Sequence, residues 1–355
     1  MAGAQKLRVL VVDDTIVYRK AVSDILEQLP GIEVVGVAHN GSIAMAKVKT
    51  LKPDLLTLDV EMPQMNGIEV LQELQKNHPD VGAIMLSTLT SEGSSLTLRA
   101  LELGAFDFIP KPKGANVQAN LAEIKALLAP MLPARPSVSS GRKAGPVIRK
   151  TASPATASCR RKSEIVTIGI STGGPNALHL MLPKLPKDLG VPVLIVQHMP
   201  PVFTKSLAES LDKKCALTVK EAEEGENILP NTIYIAPGGR QMKIIAGRDG
   251  IHRQIKLTDD PPENSCRPAA DYLFRSVADY YVGRTTAVIM TGMGSDGTKG
   301  LGILKEKSAY IIGQDEQSCV VYGMPKTPAE LGYLDTVLPL HKIADEIVRS
   351  VRSAI

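Results

Sequence analysis

EIVTIGISTGGP, residues 164–175, holds the reading that decides the fold. An apolar run ends in a glycine-rich turn, and Pro175 suits the first position of a helix, where its missing N–H leaves nothing unpaired. Strand, tight turn and helix in that order open a βα unit. The same order recurs upstream. LRVLVVDD (7–14) reads as a buried strand and TIVYRKAVSDILEQL (15–29) has helical spacing. IEVVGVA (32–38), DLLTLDV (54–60), GAIMLST (82–88) and FDFIP (106–110) read as further strands, with helical segments at 67–77 and 94–104. Downstream, EIVTIGI (164–170), VPVLIVQ (191–197), TIYIAP (232–237) and TTAVIMTG (285–292) continue the series. MKIIAGRDGIHRQIKLT (242–258) places an R-D-G turn between alternating runs and predicts a hairpin. The expected class is α/β, with two doubly wound parallel sheets: a flavodoxin-like one, then a Rossmann-like one carrying the hairpin.

The chain has 355 residues, 44% of them hydrophobic, which is enough for two sizeable cores. Between them, residues 131–163 are rich in Pro, Ser, Ala, Arg and Lys, with no acid and no sustained periodicity. They read as a flexible basic linker between domains at 1–130 and 164–355. Its charge could attract an acidic surface or a membrane, but a solvated tether is the plainer reading. Aromatics are only 3% with no Trp, and the net charge is only +4, so a base-stacking or strongly basic nucleic-acid surface is excluded. Cys159, Cys215, Cys266 and Cys319 form no CxxC pair, which argues against zinc and disulfides. The apolar start is short and ends in two aspartates, and no run approaches the ~18 residues of a membrane span. The expected location is the cytoplasm, without membrane insertion.

Asp13 and Asp14 end the first predicted strand and Asp59 lies near the end of the third. In an open parallel sheet those ends share the ligand-binding edge. Three carboxylates converging there call for a divalent cation, and hard oxygen donors favour Mg2+. Mg2+ beside a carboxylate suits phosphoryl transfer onto it. Ser87 could hydrogen-bond a phosphoryl oxygen and Lys111 could supply positive charge. The plainer alternative is that Asp13 and Asp14 cap the next helix. With VVDD, LDVEMPQMNG, LST and PKP in this order, residues 7 to about 128 resemble a response-regulator receiver domain. The resemblance makes Asp59 the phosphoacceptor. It makes Asp13, Asp14, Asp59 and the Glu61 carbonyl the Mg2+ shell, and Ser87, Lys111 and Phe108 the switch residues.

For GISTGGP three readings compete. A dinucleotide loop needs G-x-G-x-x-G, but Ser171 occupies the middle glycine position and the next strand ends without an acid. A Walker loop needs a lysine that is missing. A nucleophile turn of G-x-S-x-G form fits, with the helix N-terminus favouring a developing anion, although an ordinary glycine-rich turn also fits. Among His39, His78, His179, His198, His252 and His341, only His198 reads as ending a buried strand on the catalytic edge. Asp296, in MTGMGSDG, could orient that histidine, or merely cap the following helix.

ISTGGP, QHMP, APGG, MTGMGSDG and VVYGMP together resemble the catalytic domain of chemotaxis protein-glutamate methylesterases (CheB-type), over residues 164–355. The resemblance makes Ser171 the nucleophile, His198 the base and Asp296 its orienter. It places Thr172 and the Met293 N–H in the substrate and oxyanion region, with no metal in this domain. Gln241 and Cys266 depart from it, standing where relatives often carry His. The implied activity is hydrolysis of glutamate methyl esters on chemoreceptor signalling helices, with deamidation of selected receptor glutamines. It implies a histidine kinase as phosphodonor and a receiver packed over the catalytic edge until phosphorylated. A non-catalytic adaptor keeping both folds is the alternative. A DNA-binding regulator is disfavoured, because the second half shows no helix-turn-helix pattern.

Overall fold

A computed structural model describes residues 6–112, 117–132 and 162–353. The N-terminal sheet has the order β2-β1-β3-β4-β5, all parallel. Its strands are β1 (Leu7–Val12), β2 (Ile32–Ala38), β3 (Leu55–Asp59), β4 (Gly82–Ser87) and β5 (Asp107–Pro110). Helices α1 (Ile16–Glu27), α2 (Gly41–Leu51), α3 (Gly67–Asn77), α4 (Ser91–Glu102) and α5 (Val117–Met131) cover both faces. That cover is why Val9, Leu10, Val11 and Val12 can all be fully buried instead of alternating with polar residues. The helix starts follow their caps. Asn40 accepts from Ile43 N, and Asn66 and Glu69 form a reciprocal capping box. Thr90 accepts from Gly93 N, so α4 starts at Ser91, three residues before the expected 94. Neither Asp13 nor Asp14 caps α1; its N-cap position is Thr15.

The C-terminal sheet has the order β14-β13-β12-β6-β7-β9-β8, again parallel throughout. Its strands are β6 (Ile165–Ile170), β7 (Val193–Gln197), β8 (Thr218–Glu221), β9 (Thr232–Ile235), β12 (Thr285–Ile289), β13 (Tyr310–Gln314) and β14 (Thr336–Leu338). The expected hairpin is β10 (Gln241–Ala246) against β11 (Arg253–Thr258), closed by a turn whose Asp249 accepts from Ile251 N and His252 N. Helices α6 (Gly174–Met181), α7 (Phe203–Asp212), α8 (Ala270–Tyr280), α9 (Thr298–Glu306), α10 (Lys326–Glu330) and α11 (Leu340–Arg352) complete it. The chain leaves β6 toward β7 on one side and later returns to β12 on the other. The β6/β12 boundary is therefore the switch point, where the loops diverge and leave a crevice.

The apolar packing runs continuously from one sheet to the other. Phe108 of β5 stacks on Phe203 of α7, ring centroids 4.6 Å apart. The expected linker falls almost wholly outside the described residues. Among those described, no helix is long and apolar enough to cross a membrane.

Candidate active site

Ser171 follows β6 directly and is held by its backbone: its N–H donates to Thr291 O at 2.9 Å and Gly174 N donates to its carbonyl at 2.7 Å. The turn needs glycine where it bends. Gly173 has φ +74°, and a Cβ there would sit 2.5 Å from Val320. Gly292 presses on the serine from β12's loop, where an added Cβ would lie 2.7 Å from Ser171 Cβ. The helix starts at Gly174, so Pro175 is its second residue, one later than expected.

His198 sits one position past the Ile170–Gln197 pair of β6 and β7, beside Ser171. Its Nε2 lies 2.8 Å from Asp296 Oδ2. Asp296 does not cap α9; its carboxylate caps α8 instead. Oδ2 also accepts from Ala270 N at 2.6 Å, and Oδ1 accepts from Asp271 N at 3.2 Å and Asn264 Nδ2 at 2.9 Å. Burial alone would raise the Asp296 pKa, but the His198 partner and these amides hold it below the usual carboxylate range. Burial pulls His198 down, yet the Asp296 carboxylate and the Cys266 sulfur more than reverse this and push it up to about 9. Cys266 Sγ is 3.5 Å from His198 Nδ1. The Ser171 hydroxyl has no hydrogen-bond partner among the described residues. The N–H groups of Thr172 and Met293 are also without internal partners there, so both are available to an external oxygen.

At the N-terminal edge, carboxylate oxygens of Asp13, Asp14 and Asp59 lie within 4.8 Å of one another. Asp13 and Asp59 are buried and Asp14 is exposed. The Lys111 ammonium is 2.6 Å from Asp59 Oδ2 and 2.9 Å from Asp13 Oδ2. Burial still pushes Asp59 up to about 6, over the lowering effect of Lys111. Three hard oxygen donors with one lysine between two of them leave uncompensated negative charge, and this donor set fits Mg2+. Glu61 N lies 3.4 Å from Asp59 Oδ1, which places its backbone beside the cluster. Ser87 is turned toward α4: its hydroxyl accepts from Thr97 Oγ1 at 2.6 Å and donates to Gly93 O at 3.2 Å.

Sequence reasoning missed Asp107. This fully buried carboxylate accepts from Gly173 N, in the Ser171 turn, at 2.8 Å and from Phe108 N at 2.8 Å. Complete burial pushes it up to about 6 despite both amides. Around it Asn176 Nδ2 donates to Ala105 O at 2.8 Å, and Ser94 and Ser206 hydroxyls meet at 2.8 Å. An acid inside the apolar FDFIP strand was the available signal, because a buried charge must find a donor.

Comparison with known proteins bears on both sheets. A family model described as CheB methylesterase matches residues 166–347, and one described as response regulator receiver domain matches residues 9–122. A protein-glutamate methylesterase/protein-glutamine glutaminase of Desulfotalea psychrophila is 60% identical, over 98% of this chain and 99% of its own length. The protein of that name in Bacillus subtilis is 43% identical, over 98% and 99%. The crystal structure of the Thermotoga maritima CheB methylesterase catalytic domain matches with a TM-score of 0.51 and 45% identity, covering 53% of this chain and 99% of that one.

Proposed function

The chain belongs to the CheB methylesterase family and carries a response-regulator receiver domain ahead of the catalytic one, and from that premise we propose that it hydrolyses γ-glutamyl methyl esters on chemoreceptor signalling helices under phosphorylation control. Deamidation of selected receptor glutamines by the same site is part of the proposal, as are a histidine kinase phosphodonor, a cytoplasmic location and domains at 1–130 and 164–355. The observation that supports it most is the 2.8 Å His198–Asp296 bond, at a switch point where Ser171 ends the neighbouring strand.

Asp296 fixes the proton of neutral His198 on Nε2, which leaves the Nδ1 lone pair for the Ser171 hydroxyl proton. Ser171 Oγ attacks the ester carbonyl, and Thr172 and Met293 N–H groups stabilise the oxyanion. His198 then returns the proton to the leaving methanol. Water, deprotonated by the same nitrogen, releases the glutamate carboxylate.

In the receiver, Asp59 is the phosphoacceptor, and Asp13, Asp14, Asp59 and the Glu61 carbonyl would hold Mg2+. Bound there, Mg2+ screens the charge between the carboxylate and an incoming phosphoryl group. Lys111 pairs with the phosphoryl group, and Ser87 must leave Gly93 to reach it. That move loosens α4, while the shift of Lys111 pulls on β5, which carries Asp107 and Phe108. Release of Asp107 from Gly173 frees a main-chain donor in the nucleophile turn. The test is methanol release from methylated receptor by the full chain, Ser171→Ala and Asp59→Asn, with and without a phosphodonor. Release lost in Ser171→Ala supports the reading; no release from the wild type supports a non-catalytic adaptor. Equal rates in wild type and Asp59→Asn with phosphodonor remove receiver control.

A further inference from the structure

Two groups that face the catalytic pair come from one tight turn. Glu263 N donates to Cys266 O at 3.0 Å and Cys266 N donates to Glu263 O at 2.7 Å, while Asn264 and Ser265 have φ of 50° and 62°. Positive φ at both central residues, closed by paired main-chain bonds, is the type I′ arrangement. The turn is anchored on three sides. Gln241 Nε2 donates to Pro261 O at 3.1 Å and Cys266 O at 3.4 Å, Gln241 Oε1 accepts from Ala269 N at 2.9 Å, and Arg275 forks onto Glu263. Gln241 is fully buried, so it serves as a tether of this loop and not as a substrate contact. From that turn Asn264 Nδ2 bridges Asp296 Oδ1 and Asp271 Oδ2, at 2.9 and 3.0 Å, and Cys266 aims its sulfur at His198 Nδ1.

The chemistry of that nitrogen makes the contact consequential. With Nε2–H committed to Asp296, neutral His198 has a single acceptor lone pair, on Nδ1. Protonated, that nitrogen donates to the Cys266 sulfur; neutral, it can accept from the Ser171 hydroxyl, and it cannot do both at once. The sulfur is in contact, and the hydroxyl has no partner among the described residues. We propose that Cys266 is a positioning residue that holds His198 in a resting orientation, and that Ser171 is activated only when its hydroxyl displaces the sulfur from Nδ1. This rests on the esterase reading for its consequence in rate, but not for the contact itself. The charged and titratable groups facing the ring are Asp296 from the loop before α9 and Cys266 from the turn before α8, with Asp271 of α8 behind Asp296 across Asn264. Both carboxylates remain when the sulfur is removed.

The experiment follows the His198 imidazole by NMR titration in the full chain, as wild type, Cys266→Ala and Cys266→Ser, beside the pH profile of kcat/KM for methanol release. Loss of the sulfur lowers the His198 midpoint, and the acid limb of the profile moves down by the same amount. A one-unit fall raises the neutral imidazole fraction at pH 7 about tenfold. Cys266→Ser, which keeps an acceptor for protonated Nδ1, lies between. An unmoved midpoint in both variants, with the rest of the spectrum native, overturns the proposal. So does a profile that moves while the His198 midpoint does not. Failure of the esterase reading shows separately, as absence of methanol release from the wild type, and leaves the titration readable. If Cys266→Ala is unfolded, Cys266→Ser alone decides.

Discussion

At the edge of the N-terminal sheet, three carboxylates crowd within 4.8 Å and share one ammonium. At the edge of the C-terminal sheet the carboxylate of Asp296 accepts from His198, Asn264, Ala270 N and Asp271 N, with the Asp271 carboxylate behind it across Asn264. Both edges come from parallel strands that all point one way, so topology does not distinguish them. Compensation of charge does. The first edge is short of positive charge and is suited to take up a cation and then a phosphoryl group. The second is saturated, so its carboxylate is fixed and can fix a histidine in turn. One site is built to change its charge, the other to keep its geometry.

The comparison breaks or holds first on Ser171→Ala, for which loss of the nucleophile predicts a fall in methanol release of about 10⁶-fold. Asp59→Asn should leave the unphosphorylated rate unchanged, since the receiver edge supplies no group to the ester. Next comes Asp296→Asn, for which the wrong histidine tautomer predicts a loss of about 10⁴-fold in kcat. Asp107→Ala acts in the opposite direction. A hydrogen bond to a charged group is worth about 1.5–3 kcal/mol, so its loss from the docked state should raise the unphosphorylated rate about ten- to a hundredfold. A phosphodonor should then add little, and an unchanged basal rate would sever Asp107 from control.

The smallest effect concerns pH at the domain contact. His179 of α6 is pulled down to about 4, first by burial and then by Lys214, over the opposing effect of Glu102. Its Nε2 lies 3.7 Å from Glu102 Oε1 and 3.5 Å from Ser210 Oγ. Released from the interface it returns toward 6.5, so its contribution to docking is intact above 6.5 and is lost as pH falls toward 4. Asp107 runs the other way. Its docked value of about 6 lies above the free 3.8, so docking tightens as pH falls through 6. Between pH 7.5 and 5.5 these opposed titrations should weaken wild-type docking about 2.5-fold. Asp107→Asn, which keeps an acceptor but cannot titrate, should show the full loss of about tenfold. Energy transfer between dyes on the two domains measures both, and equal slopes would remove Asp107 from the balance.

Much of this was legible in the chain. Both parallel sheets follow from the alternation of apolar runs and helical spacing, and Ser171, His198 and Asp296 from their places at strand ends. Strands β8 and β14, of four and three residues, are too short to stand out, and β13, YIIGQ, carries a glycine that weakens its strand pattern. Ser87 was placed correctly on the edge, but which way its hydroxyl turns depends on Thr97 and Gly93, which only α4's packing brings near. Asp107 is marked by its place in an apolar strand, but its donor, Gly173, is 66 residues away in the turn after β6, and only the fold pairs them. The Glu263–Cys266 turn carries Asn-Ser where Asn-Gly would have announced it.

Strand β5 and the residue just past it carry two anchors at fixed separation: Asp107 on the Gly173 amide and Lys111 on Asp59. Four residues of extended chain span about 13 Å and, at a side-chain period of two, return to the same face. The length of this segment is therefore set by parity as well as by distance. A single inserted or deleted residue would turn one anchor to the opposite face and cut Asp59 off from the Ser171 turn, even with both domains correctly folded. The four-residue count is therefore a constraint on this segment that comes from joining two sites, and not from the packing of either domain alone.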